Sequence, residues 1–222
     1  MTWLVPGGAG YIGSHVVRAF ITDNIPAVVI DDLSSGHRNF VNADIPFYEG
    51  SILQGEFLDQ IFAEHKISGV VHLAGFKYAG VSVSRPLHTY TQNVTGMVTL
   101  LESMAAHDVA NFVFSSSAAV YGTPATDLVS EQDPTDPESP YGESKLIGEW
   151  LLGDVARATA SGPAPLRSLV RVVQPQRAER AERADGERHA RRQRHLRRRI
   201  RARRPEIPAV AGSGDLMRWS GS

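Results

Sequence analysis

Tyr141 and Lys145 stand four residues apart in Ser139-Pro140-Tyr141-Gly142-Glu143-Ser144-Lys145. On a helix that spacing stacks them on one face. A free phenol, with a pKa of ~10, is a poor base at neutral pH. An ammonium one turn away favours the phenolate. The pair is therefore a candidate for proton transfer, although a solvated tyrosine–lysine pair has the same spacing. Ser115-Ser116-Ser117 close an apolar run, Asn111 to Phe114, that reads as a strand. Ligands bind at the carboxyl ends of strands in a parallel sheet. From there Ser117 can hydrogen-bond the same hydroxyl that Tyr141 deprotonates.

Gly7-Gly8-Ala9-Gly10-Tyr11-Ile12-Gly13 follows the first apolar run and opens a helical pattern. It satisfies Gly-x-Gly-x-x-Gly and Gly-x-x-Gly-x-x-Gly together. Glycines permit the tight turn and let backbone N–H groups reach a pyrophosphate. The helix N-terminus adds the positive end of its dipole. An ordinary glycine-rich turn is the alternative. Asp31, 18 residues after Gly13, ends the next apolar run. A carboxylate there accepts hydrogen bonds from the ribose hydroxyls of a dinucleotide. It repels a 2′-phosphate, so NAD is expected rather than NADP. Asp32 reads more simply as a solvated turn residue. Pro6, at the strand end, removes a backbone donor.

These residues need a scaffold, and the sequence alternates apolar runs with helical patterns. Strands are expected at Thr2–Val5, Ala27–Ile30, around Phe47 and Tyr48, and at Gly69–Leu73, Asn111–Phe114 and Leu166–Val170. Helices are expected at Tyr11–Thr22, Glu56–Lys66, Pro86–His107 and Pro140–Thr159. In the first, Ile12, Val16, Ala19 and Phe20 form the apolar face. In the third, Val94, Met97, Val98, Leu101 and Met104 do. Ser139 is the expected N-cap of the last, with Pro140 in its first turn. Most strand runs are continuously apolar, the pattern of a parallel sheet buried on both faces. The expected fold is α/β, a Rossmann-type doubly wound parallel sheet. No internal repeat is visible.

The chain has 222 residues and no cysteine. Disulfides, thiolate metal sites and a cysteine nucleophile are excluded, and a cytoplasmic setting is expected. No metal site is expected. No run of ~18 apolar residues occurs, so no membrane-spanning helix is expected. The opening residues carry no basic segment of a secretory leader. His15 and His72 have no carboxylate partner in the sequence and are read as structural.

Residues 1 to about 171 resemble the extended short-chain dehydrogenase/reductase family, whose members include NAD-dependent sugar-nucleotide epimerases. Six segments in order carry the resemblance. They are Gly7 to His15, Asp31-Asp32-Leu33-Ser34, His72-Leu73-Ala74-Gly75-Phe76-Lys77, Asn93-Val94-Thr95-Gly96, Ser115 to Gly122, and Ser139 to Lys145. The resemblance implies that Tyr141 is the base. Lys145 tunes it and binds the nicotinamide ribose, and Ser117 assists. It implies cofactor contacts at Gly7, Gly10, Tyr11, Ile12 and Gly13 in the loop, and at Asp31 and Asp32. Further contacts are implied at Ser51 and Ile52, at Leu73, Ala74, Gly75 and Lys77, at Asn93, and at Tyr141 and Lys145.

The implied reaction interconverts UDP-glucose and UDP-galactose. Hydride leaves C4 of the sugar for tightly held NAD and returns to the other face of the 4-keto sugar. Another NAD-dependent epimerase and an inactive NAD-binding fragment remain open. The implied partners are a UDP-sugar and a second copy of the chain, with Pro86–His107 and Pro140–Thr159 forming a bundle across a two-fold axis. Nucleic acid and membrane are not expected partners.

Three departures from the family stand out. Pro6 and Ala119 replace usual threonines, and Ser51 replaces an aspartate that contacts adenine. Ala118 and Ala119 occupy the places of the dehydratases' acidic pair, which disfavours dehydration.

The last 52 residues are different. Residues 171–222 hold 15 of the chain's 23 Lys+Arg, all of them arginine, with no Lys, Tyr or Phe. Such a segment buries too little apolar surface to offset its ordering entropy. The expected division is a cofactor domain over 1–171 and a disordered basic tail, not native to the fold, over 172–222. A nucleic-acid-binding tail and an out-of-frame extension compete, and the missing lysine favours the second. The family continues past this point with the substrate half. The sheet is therefore expected to be incomplete and the chain as written to fold poorly, to bind NAD weakly and not to epimerise.

Overall fold

The computed structural model describes residues 1–124, 129–162 and 164–172. The expectations for the 172–222 tail fall, from residue 173 onward, outside the described residues. Among the described residues there are six strands: β1 Thr2–Pro6, β2 Ala27–Asp31, β3 Phe47–Glu49, β4 Ile67–His72, β5 Asn111–Ser116 and β6 Arg167–Val172. They form one parallel sheet in the order β3-β2-β1-β4-β5-β6. Chain direction across the sheet reverses beside β1, which creates a crevice at the carboxyl ends of β1 and β4.

Strand periodicity divides the apolar residues between two cores. Leu4, Val28, Ile30, Val70, Phe112 and Phe114 face one side. There they meet Leu58, Ile61 and Phe62 of α2 (Gly55–Glu64), Met97, Leu100 and Met104 of α5 (Gly96–Ala106), and Leu152 of α6 (Pro140–Thr159). Val5, Ala27 and Val29 face the other side with Val17 of α1 (Tyr11–Thr22). Each such fully buried side chain contributes ~1.5–3 kcal/mol relative to exposure. Leu169 and Val170 of β6 are exposed.

Two helix faces differ from the periodicity reading. In α1 the buried residues are Gly13 and Val17, and Ile12 is exposed. The helix docks on the glycine of its phosphate loop, which turns the face away from Ile12 and Ala19. The long helix expected over Pro86–His107 runs as α4 (Pro86–Tyr90), a π-turn at Thr91–Thr95, and α5. The short α3 (Ala79–Ser82), unforeseen in sequence, precedes it. A π-turn inserts one residue and rotates everything downstream by about 100°. Leu100, absent from the expected face, is fully buried, and Val98 is not among the buried residues. Pro6 keeps its place in β1: its carbonyl accepts from Leu73 N at 2.9 Å, so only the donor is lost.

Candidate functional site

A cleft of about 590 Å³ opens at the carboxyl ends of the strands. Gly7, Gly10, Tyr11, Ile12 and Gly13 form one wall. Gly7 has φ of 81°. A Cβ there would stand 2.5 Å from Ala74 N, so the β1 and β4 exits touch backbone to backbone. A Cβ on Gly13 would stand 2.1 Å from Gly7 O. Gly10 caps α1 without a side-chain bond. The first-turn amides of α1 have no intrahelical acceptors, and Tyr11, Ile12 and Gly13 line the cleft.

Asp31 and Asp32 line the cleft where β2 ends. Asp31 Oδ2 accepts from Ala9 N and Oδ1 from Leu33 N, both at 2.9 Å. The carboxylate therefore braces the glycine loop as well as facing the cleft. Burial pushes its pKa up, and these two hydrogen bonds oppose the rise. Asp32 Oδ1 accepts from Ser34 N and Ser34 Oγ at an exposed turn. Ser51 and Ile52 also line the cleft, with Ser51 Oγ accepting from Leu53 N at 3.3 Å.

Leu73, Ala74, Gly75 and Lys77 reach the cleft from the β4 exit. Asn93 does not line it. The π-turn brings Asn93 inward, where it is buried. Its Oδ1 accepts from Phe76 N at 2.6 Å, and its Nδ2 donates to Phe76 O at 3.0 Å and Ser144 Oγ at 2.9 Å. It therefore acts on the cleft through the Phe76 turn.

Ser139 caps α6, its Oγ accepting from Gly142 N at 3.2 Å, with Pro140 next. Tyr141 and Lys145 both line the cleft, with Lys145 Nζ 5.9 Å from the centre of the Tyr141 ring. Lys145 Nζ donates to Ser115 O at 3.0 Å and lies 4.9 Å over Phe114. Burial lowers its pKa to about 8. Behind Phe114, His72 stacks at 5.9 Å and 16°. Burial, with Lys145 adding to it, lowers the His72 pKa to about 3, so this imidazole is neutral. Among the described residues its Nδ1 finds no hydrogen-bond partner.

The Lys145 value has a stability consequence. Its folded pKa lies below the ~10.4 of a free lysine. Burying the ammonium therefore costs stability below about pH 8. The cost is relieved as pH rises from about 8 to ~10.4. Lys145→Met is expected to stabilise the fold at pH 7 by about 1–3 kcal/mol, with the gain shrinking over that window. Denaturant unfolding at pH 7 and pH 10 checks it.

Ser117 is placed differently from its expected partners. It does not line the cleft, and its Oγ accepts from Ala119 N at 3.2 Å, capping a short helix at Ala118–Tyr121. Ser115 lines the cleft instead. Arg85, His88 and Gln92 also line it and were not singled out. Arg85 precedes α4, His88 lies within it and Gln92 lies in the π-turn, so no single helix face marks them in sequence. Among the described residues no group of three or more His, Asp or Glu is placed to hold a metal. None of the described helices is long and apolar enough to cross a membrane.

A family model described as the NAD dependent epimerase/dehydratase family matches residues 3–210. A UDP-glucose 4-epimerase of Lacticaseibacillus casei is 45% identical over 158 residues, covering 70% of this chain and 48% of the relative. The chain thus spans about half the length of the curated relatives it matches. A crystal structure of UDP-glucose 4-epimerase from Brucella ovis in complex with NAD superposes with a TM-score of 0.71 at 36% identity, covering 76% of this chain and 50% of that one. The Thermotoga maritima UDP-glucose 4-epimerase with UDP-glucose gives 0.71 at 36% identity, covering 77% and 54%.

Proposed function

The chain belongs to the NAD dependent epimerase/dehydratase family, and from that premise we propose that residues 1–172 are the NAD-binding, proton-transferring half of a UDP-glucose 4-epimerase. One observation carries the reading: Tyr141 and Lys145 line the same cleft as the glycine loop and Asp31. NAD fits the residues present. The glycine cradle has no room for a Cβ at Gly7 or Gly13; the α1 amides would hold the pyrophosphate and Asp31 the ribose hydroxyls. Bound NAD would supply reversible hydride acceptance at C4 of the sugar. Tyr141 takes the proton from the C4 hydroxyl and returns it to the same oxygen when the 4-keto sugar is reduced. Lys145 holds positive charge beside the phenol. Ser117 retains its hydroxyl proton while its oxygen caps Ala119, so it can still donate to the sugar oxygen. The UDP-sugar as substrate rests on the relatives named above.

Calorimetric titration of the 222-residue chain with NAD and NADP tests the cofactor half of this reading. NAD is expected to bind at one site and NADP at least tenfold more weakly. Tighter NADP binding would overturn it. Asp31→Ala is expected to weaken NAD by roughly 1–3 kcal/mol, the cost of leaving ribose hydroxyls unpaired. An unchanged NAD affinity would remove Asp31 from that role.

The same reading includes a cytoplasmic setting and a two-fold dimer of the intact protein. Leu87 on α4 and Trp150 on α6 are exposed at 81% and 60%. These helices pack against each other, which suits a shared bundle. A monomer in sedimentation of the intact protein would contradict the dimer.

A further inference from the structure

We propose that Ser82 and Ser144 are positioning residues that grip the main chain of Tyr141 from both sides, and that Asn93 joins this grip to the Phe76 turn of the cleft. The proposal rests on Tyr141 as the proton-transfer residue. Pro140 has no N–H, so the Tyr141 amide is the first donor of α6, too early for an intrahelical acceptor. The cap does not serve it either. Ser139 Oγ takes Gly142 N, and Ser139 O takes Glu143 N at 2.8 Å. The Tyr141 amide instead donates at 3.1 Å to Ser82 Oγ, 59 residues away. Ser82 is fully buried, and its own hydroxyl donates to Ala79 O at 2.6 Å. That fixes the proton and leaves the oxygen's lone pair for Tyr141.

On the other side Ser144 Oγ donates to Tyr141 O at 2.7 Å and accepts from Asn93 Nδ2 at 2.9 Å. Asn93 spends its remaining capacity on both main-chain groups of Phe76. The π-turn at Thr91–Thr95 is what turns Asn93 inward. Gly75, with φ of 144°, supplies the room: a Cβ there would stand 2.8 Å from Asn93 Oδ1. The phenol hangs from a backbone held at its N–H and its carbonyl, by residues from α3 and from α6 itself. A displacement of ~1 Å at a reacting group can cost on the order of 100-fold in rate.

Amide exchange of the 222-residue chain, resolved at Tyr141, tests the grip. Ser82→Ala is expected to speed exchange at Tyr141 by about three- to tenfold. Amides of β1 and α5 should be unchanged, and NAD affinity should stay within twofold. Ser82→Thr, which keeps the hydroxyl, should restore slow exchange. Ser144→Ala should loosen the same segment and covers the case in which Ser82→Ala does not fold. Unchanged exchange at Tyr141, exchange raised equally throughout the chain, or Ser82→Thr behaving like Ser82→Ala would overturn the proposal. Absent NAD binding by the parent chain would instead count against the functional reading, with the exchange result standing on its own.

Discussion

Tyr141→Phe is expected to lower UDP-galactose turnover by about 10²–10⁴-fold, the usual scale of general acid–base catalysis. Because the chain spans about half the length of its relatives, the assay is made in a chimera of residues 1–172 with the second half of the Lacticaseibacillus casei relative. Only one oxygen is removed. The ring remains beside Lys145, whose ammonium is held by Ser115 O and the Phe114 face independently of the phenol hydroxyl. The N–H and carbonyl of residue 141 stay bonded to Ser82 and Ser144. The loss should therefore fall on kcat, with KM and NAD affinity nearly unchanged. Turnover within threefold of the parent would take Tyr141 out of proton transfer.

Gly13→Ala is expected to weaken NAD by at least on the order of 100-fold and to lower the unfolding temperature. The added Cβ would meet Gly7 O at 2.1 Å and the Gly8 Cα at 2.7 Å. Both are backbone, so neither can swing aside. The loop would have to part from α1, which removes the close approach that a pyrophosphate needs. Gly80→Ala is the matched control, because its Cβ would meet nothing within 4 Å. It should leave NAD affinity and stability as they are. If both variants bind NAD like the parent, the glycine loop is not the phosphate site.

The sheet was legible because most of its strands carry near-continuous apolar runs, and all six expected strands appear within a few residues of their expected limits. Glycine spacing, Asp31 and the Tyr141–Lys145 pair were legible for the same reason: each depends on local geometry that sequence spacing encodes. Long-range contacts were less so. The π-turn leaves no mark on a 3.6-residue pattern, so Leu100 was missed and the inward hydrogen bonds of Asn93 could not be read from spacing. Ser82 sits in a four-residue helix with no periodicity to find, yet it reaches Tyr141. Ser117 ends the Ser115-Ser116-Ser117 run and opens a short helix, so spacing alone does not show that Ser115 also lines the cleft.

The central claim is that residues 1–172 supply the catalytic cofactor half of a UDP-glucose 4-epimerase, and the chimera assayed from both directions tests it most directly. The predicted result is interconversion of UDP-glucose and UDP-galactose to one equilibrium mixture, with no net consumption of NAD and with activity lost in Tyr141→Phe. A folded chimera that binds NAD and interconverts neither sugar nucleotide would contradict the claim and leave an inert NAD-binding fragment.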